Sequence, residues 1–585
     1  MKKYSRVSLR GASKARRSNL RSARRLLRPL WGLAMTVVFL FTYTAFAFAS
    51  DPVNVSSLKK LPIQYNGRVQ PLESLAIDLA ETVHGRKTVL GHSSLSFLLE
   101  LLAKPDVWYQ KPIVKIGFLP FKRQAGLDTT RNYYSLNELE TSVGVQKLFD
   151  EVVAKSERGE DLLPVDRKIQ SARNAFLMAN ALLTGDILKI APPPGRPSLG
   201  QAAPAPGTGE DWLSVRELAE RPDEKNAAIL EFLRQVMDSY AKNDQAAFDQ
   251  AVNQLETALR EINPNAWNAG WKLDLEIMYH AFQPFRWAWV FYLVSGLLFI
   301  FGWRLEKNSL RRIGTGAFVI AFLCHTAGLV LRILVLSRPP VSNMYESVVF
   351  MSWMVSVFAL VLAGVLKRML LINVSAFVGA AILILGSLMP FDPSLDVLVP
   401  VLRSNYWLTI HVLTIVSSYG AFALAMGVAH VALGHFIRES TPRAPRSHAK
   451  IKDLTHLVYR SIQVGVILLA AGTILGGVWA NESWGRFWGW DPKETWALIS
   501  LLGYLALLHA RFIGWVKDFG LSVGAVLCFM LIVMTWYGVN FVLGRGLHSY
   551  GFGAGGGQWV TLFLVAEFIY LFLAWRKVSR PSVRV

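Results

Sequence analysis

The sequence predicts an all-α polytopic membrane protein of about nine to ten transmembrane helices, with an exported, mainly helical soluble domain near its N-terminus. Three observations carry that fold class. The 585 residues are 52% hydrophobic and 18% charged, too apolar for a soluble chain of this length. Apolar runs long enough to span a bilayer, on the order of 20 residues, recur near 30–49, 287–303, 313–336, 347–366, 370–389, 407–435, 461–480, 495–513, 521–543 and 559–576. The basic residues cluster at 1–30, 304–312, 367–368, 438–460, 511–517 and 576–584, which all fall on one side when the chain is threaded through ten spans. That is the positive-inside pattern and puts the N-terminus in the cytoplasm. The net charge of +21 therefore reports topology, and no nucleic-acid partner is implied.

Residues 1–49 read as a basic leader followed by a signal or anchor helix. The first 30 hold eleven Lys and Arg and no acid, and the apolar run closes on Ala47-Phe48-Ala49, a small-x-small cleavage pattern. The twin arginines Arg16-Arg17 and Arg24-Arg25 lie in an arginine-rich segment and carry little weight as an export signal.

Residues 50–285 form the polar, exported domain. Asn66-Gly67 predicts a turn, 72–83 a helix, and 191–209, rich in Pro, Gly and Ala, a linker or exposed loop. The segments 224–240 and 244–262 have helical periodicity and pair as a hairpin. No catalytic constellation is visible there, and His84 and His92 read as ordinary surface residues. The two cysteines, Cys324 and Cys528, both lie inside spans, so no disulfide staples the exported segments. There is no CxxCH, so the chain does not itself carry covalently attached c-type haem.

Residues 286–585 are the membrane domain, organised around 479–496, WANESWGRFWGWDPKETW. Five tryptophans with Asp491, Lys493 and Glu494 do not fit a span, because charged groups near the bilayer centre cost several kcal/mol. The stretch is therefore expected to be a loop at the outer surface. Interfacial tryptophans are common, but interleaved Gly485 and Gly489 would flatten the surface and let a planar ligand approach. At its end, Asp491 reads as an N-cap with Pro492 first and Glu494 third in the next helix, a capping box.

Four histidines lie in or beside spans. His411 and His548 fall at the outer face with the tryptophan stretch, and His509 and His325 lie within spans. Two imidazoles brought together across a gap can hold haem iron, and an aromatic shelf suits a porphyrin face. The residues alone leave that pocket and a structural interface belt as equal alternatives. For His325 the favoured reading is a hydrogen-bonded core residue.

WGRFWGWDPKETWALI (484–499) resembles the tryptophan-rich WWD signature of haem-handling membrane proteins, and its DPKETWALI continuation resembles the CcsA (ResC) branch of System II cytochrome c biogenesis. IHVLTIVSSYGAF, LLGYLALLHAR and YGVNFVLGRGLHSYG are similar to that family's histidine segments, in the same order. The resemblance covers roughly 290–576, and LPIQYNGRVQPLESLA (61–76) is similar to the segment preceding CcsA in longer members. It implies that His411 and His548 are external axial ligands holding haem b over a platform of Trp484, Gly485, Trp488, Gly489, Trp490, Asp491 and Trp496. It implies that His509 is an internal ligand during transit. Arg403, Arg486 and Arg545 in outward loops are candidates for haem propionates.

The implied activity is cytochrome c biogenesis in a bacterial inner membrane, with haem presented for thioether attachment to apocytochrome c. A CcsB (ResB)-type protein is the implied partner, beside apocytochrome c, haem and membrane lipid. Two alternatives stand beside it: haem delivery to a chaperone, as in the CcmC branch, and a non-haem envelope scaffold.

Overall fold

The computed structural model describes residues 51–579 except 52, 161, 193–211, 222, 263, 268–269, 390, 396–403, 439–444 and 544–555. Among the described residues nine helices are long and apolar enough to cross a membrane. They are α1 (Gly270–Arg304), α2 (Asn308–Leu336), α3 (Met344–Leu366), α4 (Leu370–Leu388), α5 (Asn405–Arg438), α6 (His448–Trp484), α7 (Pro492–Phe512), α8 (Asp518–Leu543) and α9 (Gly557–Ser579). They coincide with nine of the ten expected spans, and the run at 30–49 lies outside the described residues. The chain is an all-α, multi-pass membrane protein.

Local chemistry sets the helix ends. α1 breaks at Gln283, which is left-handed (φ 48°) ahead of Pro284, a residue that cannot continue the preceding ladder. α3 starts at Asn343, whose side chain accepts the Glu346 N–H. Left-handed Ser337 and Lys367 stop α2 and α3.

The bundle is centred on α5, whose most apolar stretch is 72% buried, against 22% for α7 and 17% for α9. Small residues permit the close approach. A Cβ on Gly472 of α6 would lie 2.9 Å from the Ile415 side chain, and one on Gly476 would lie 2.7 Å from His411 Cε1. A fully buried ion pair joins α2 to α3: Arg332 donates from Nε (3.1 Å) and Nη2 (2.8 Å) to Glu346. Its other N–H groups reach Tyr279 Oη and the carbonyls of Pro393 and Ser394. All five guanidinium donors are thus used.

Residues 53–259 build a separate apolar core. Asn66 and Gly67 both have positive φ and turn a hairpin of Pro62–Tyr65 and Arg68–Pro71. Lys189–Ala191 and Leu213–Ser214 extend it into a four-stranded antiparallel sheet that alternation did not announce. The expected helices are present as Leu72–His84, Glu224–Ala241 and Gln245–Ile262, and the last two pack together. The sheet takes the first residue of the expected 191–209 linker, and the rest, from 193, lies outside the described residues.

His84 corrects the expectation of a surface residue. It is buried, stacks on Tyr133 and donates from Nδ1 to the Ile113 carbonyl. Burial holds its pKa below the ordinary imidazole value despite that bond, with Arg86 and Lys115 adding to the shift. His92 is half-buried against Trp108.

This polar region joins the bundle at the end that carries the tryptophan stretch. Arg68 grips Glu276 of α1 through two bonds of 2.8 and 2.7 Å, Ser74 donates to the same carboxylate, and Lys272 reaches Ser337. The described basic residues at 304–312, 367–368, 448–460 and 511–517 occupy the other end, where Arg368 pairs with Asp453 and Arg511 with Asp518. Reporter fusions at Arg446 are expected to read cytoplasmic and fusions within 150–260 exported. An exported reading at Arg446 would invert the bundle.

Candidate functional site

His411 sits in a π-helical turn, Leu408–Val412, at the tryptophan end of α5. Such wide turns leave a carbonyl out of register and recur at functional sites. Its Nδ1 lies 2.8 Å from the Gly472 carbonyl of α6. A carbonyl only accepts, so Nδ1 carries the hydrogen and the neutral ring keeps its lone pair on Nε2. Gly476 leaves the room for this ring. Gly476→Ala is expected to cost about 1–3 kcal/mol through overpacking, read as a lower unfolding midpoint. Gly364→Ala, whose Cβ meets nothing within 4 Å, should leave the midpoint unchanged or raised.

Beside His411 lie two tryptophans. Trp407 and Trp479 stack with centroids 6.5 Å apart and planes 11° from parallel, and Trp479 meets the His411 ring edge-on at 5.7 Å. Trp407 donates to Glu482 at 2.9 Å. Trp407 was not among the expected site residues, although its place four residues before His411 puts both on one helix face.

The stretch 479–496 is less of a loop than expected. α6 continues to Trp484, so 479–484 is helix and the turn is confined to 485–491. Gly485, left-handed at φ 68°, ends the helix with its N–H on the Asn481 carbonyl. The space at Gly489 is filled by the Arg486 guanidinium. Both glycines therefore also serve the turn's own fold. Arg486 reaches Glu494 at 3.4 Å and lies over the Trp484 ring.

The capping box is present as expected: the buried Asp491 accepts from Lys493 N–H, and Glu494 accepts from the N–H groups of Asp491 and Gly489. Phe487 folds back on Gly477, next to Gly476 on α6, and so draws the turn toward the seam that holds His411. Trp488 and Trp490 meet edge to face at 5.9 Å. Trp490 is 70% exposed and left-handed at φ 56°, a conformation costing about 1–3 kcal/mol in a bulky residue. Trp496 is half-buried at the start of α7, and its carbonyl accepts from Thr535 of α8.

Thr535 lies in a second π-helical segment, Met534–Leu543, which leads toward His548. His548, Arg545 and Arg403 lie outside the described residues. His509 is exposed on α7 in a stripe with Ile499, Leu502, Ala506 and Ile513, and its Nδ1 donates to the Leu505 carbonyl. His325 is fully buried, bonded to the Val349 carbonyl at 3.0 Å and near Tyr292 Oη at 3.4 Å. It is a satisfied core histidine. Sequence reasoning passed over His430 of α5, which meets Glu567 of α9 at 2.8 Å. Two ionisable residues inside apolar runs were the available signal.

The family described as cytochrome C assembly protein matches residues 341–548. Protein NrfI of Wolinella succinogenes is 30% identical over 518 residues, 83% of this chain and 53% of its own length. The chain thus spans about half of that relative. Cytochrome c biogenesis protein CcsA of Chlorella vulgaris is 32% identical over 282 residues, 42% of this chain and 88% of its own length. CcsA of Gloeobacter violaceus is 33% identical over 302 residues, again 42% and 88%. Since these CcsA proteins are matched over most of their own length, the chain belongs to the CcsA-type cytochrome c biogenesis family.

Proposed function

We propose that this chain takes haem b as its cargo, receives it within a bacterial inner membrane and presents it at the outer face for attachment to apocytochrome c. In this proposal residues 1–49 are a leader or anchor, 50–285 an exported domain and 286–585 the haem-handling domain. The observation that carries it is His411: its Nδ1 is fixed by the Gly472 carbonyl, and an aromatic pair lies against it. A carbonyl that takes the hydrogen of the other ring nitrogen orients a metal-binding imidazole.

His548 is the second external ligand, on the segment that continues from the π-helical end of α8. Trp484, Trp488, Trp490 and Trp496, with Gly485, Gly489 and Asp491, form the platform and hold its shape. Each thiol of an apocytochrome CxxCH adds across one vinyl group: sulfur bonds to one carbon, a proton goes to the other, and nothing leaves. The thiolate is the nucleophile. The chain therefore needs no nucleophile of its own, and Cys324 and Cys528 lie in α2 and α8, away from the turn. Its work is orientation, as where a cofactor supplies the chemistry.

His509 is the internal ligand. It lies fourteen residues after Thr495, about 21 Å down the helix at ~1.5 Å per residue, on an exposed face that a CcsB-type partner would cover. The purified chain with its partner should show the visible bands of haem ligated by two imidazoles, and a colourless preparation would overturn the proposal in favour of a scaffold. His509→Ala should lower the haem content of that complex. Unchanged haem would remove His509 from the route.

A further inference from the structure

A cavity of about 650 Å³ runs along the side of the bundle between α4, α5, α8 and α9, from Met389 and Trp559 at the tryptophan end to Leu370 and Trp303 at the basic end. That volume is within the range of small-molecule sites. Helix α9 packs on α5 but scarcely touches α4, so the cavity opens sideways between them. Its wall is aliphatic and aromatic apart from a few polar groups, chief among them His430, Glu567 and Asn373, and no Lys or Arg lines it among the described residues.

His430 and Glu567 act as one unit. His430 Nδ1 lies 2.8 Å from the Met426 carbonyl, which can only accept, so Nδ1 carries a hydrogen. The 2.8 Å contact from Nε2 to the Glu567 carboxyl therefore holds one shared proton, and the pair is neutral overall. Tyr570 stacks on the His430 ring at 5.2 Å and donates to its carbonyl, which fixes the pair in place. Across the cavity Asn373 is 8% exposed, and its amide oxygen has no hydrogen-bond partner. Its neighbour Val374 rests on Gly427, so this turn of α4 lies against the α5 turn just before His430. A buried acceptor without a donor is costly and calls for one.

We propose that this cavity binds an uncharged, lipid-soluble phenol or quinol. The lack of a lining cation among the described residues disfavours phosphate heads and the propionates of haem. The acceptors, Asn373 Oδ1 and the Glu567 carboxyl, require a ligand that donates, and a hydroxyl on an apolar ring does so without charge. The sideways opening admits such a molecule from the lipid, with room for its tail.

The test uses the full chain in phosphatidylcholine nanodiscs, titrated calorimetrically with tetramethylhydroquinone against empty nanodiscs. Its dimethyl ether, which has the same ring and no hydroxyl donors, is the comparison. The diphenol should bind at least about tenfold more tightly than the ether, the scale of one hydrogen bond to a buried group. Asn373→Leu should lose about that factor. Ala381→Phe, which fills the cavity from α4 and leaves the polar groups in place, should abolish binding of both. Each variant is scored only with the parent's unfolding midpoint. Equal binding of diphenol and ether, or parental diphenol binding by both variants, would overturn the proposal and leave a groove filled by lipid chains.

Discussion

His411→Ala and His548→Ala are each expected to abolish cytochrome c assembly, and added imidazole to restore part of it. Removing His411 deletes an imidazole whose ring is held by the Gly472 carbonyl and whose remaining lone pair lies on Nε2. In the proposed site each single variant leaves haem iron with one imidazole and an open coordination position. Diffusible imidazole then enters the space that the side chain vacated. The loss should exceed the ~10–100-fold effect typical of removing an outer-shell partner. His92→Ala is the control, since His92 packs on Trp108 in the polar region, away from the α5–α6 seam. The readouts are haem-stained cytochrome c and the spectrum of each variant. Normal assembly by both variants would reduce the tryptophan stretch to an interface belt. Failure without rescue would mean that the histidines matter for a reason other than iron.

The second large effect is expected at Arg332 and Glu346. Glu346→Gln or Arg332→Met leaves one buried charge without its partner, which costs about 3–5 kcal/mol. The unfolding midpoint of either single variant should therefore fall steeply. The double variant Arg332→Met/Glu346→Leu should recover part of the loss, because no bare charge remains. Recovery should be incomplete, since Arg332 also holds the Pro393 and Ser394 carbonyls. That segment precedes α5, so assembly should fall with stability in the single variants. A double variant no better than the worse single one would place the cost in those carbonyls.

The membrane fold was legible because its signal is length and apolarity, which a bilayer enforces segment by segment. The capping box at Asp491 was legible because it is local, with Asp, Pro and Glu at fixed offsets. What escaped the sequence depends on which helix faces which. Trp407 lies on the face of His411, but its stacking on Trp479 exists only once α5 and α6 pack. Gly472 and Gly476 look like ordinary span glycines until the seam shows what they admit. His430 and Glu567 are 137 positions apart and gain meaning only as a pair. The continuation of α6 to Trp484 departs from the expected span, which closes at Ala480 where charge and glycine begin. Glu482 is instead accommodated at the helix end by the Trp407 indole.

The clamp on Glu276 bears on the order in which the protein is made. Arg68 is 208 positions and Ser74 202 positions ahead of the carboxylate that they hold. Ribosomal synthesis therefore delivers both donors well before their acceptor emerges. In a chain threaded as proposed, the hairpin is already across the membrane when the first helix of the bundle arrives, so a receptacle awaits the Glu276 carboxylate. Polar-region folding and helix insertion then become successive steps of one vectorial process. A chain started downstream of Ser74 would deliver the same helix with its carboxylate unmet.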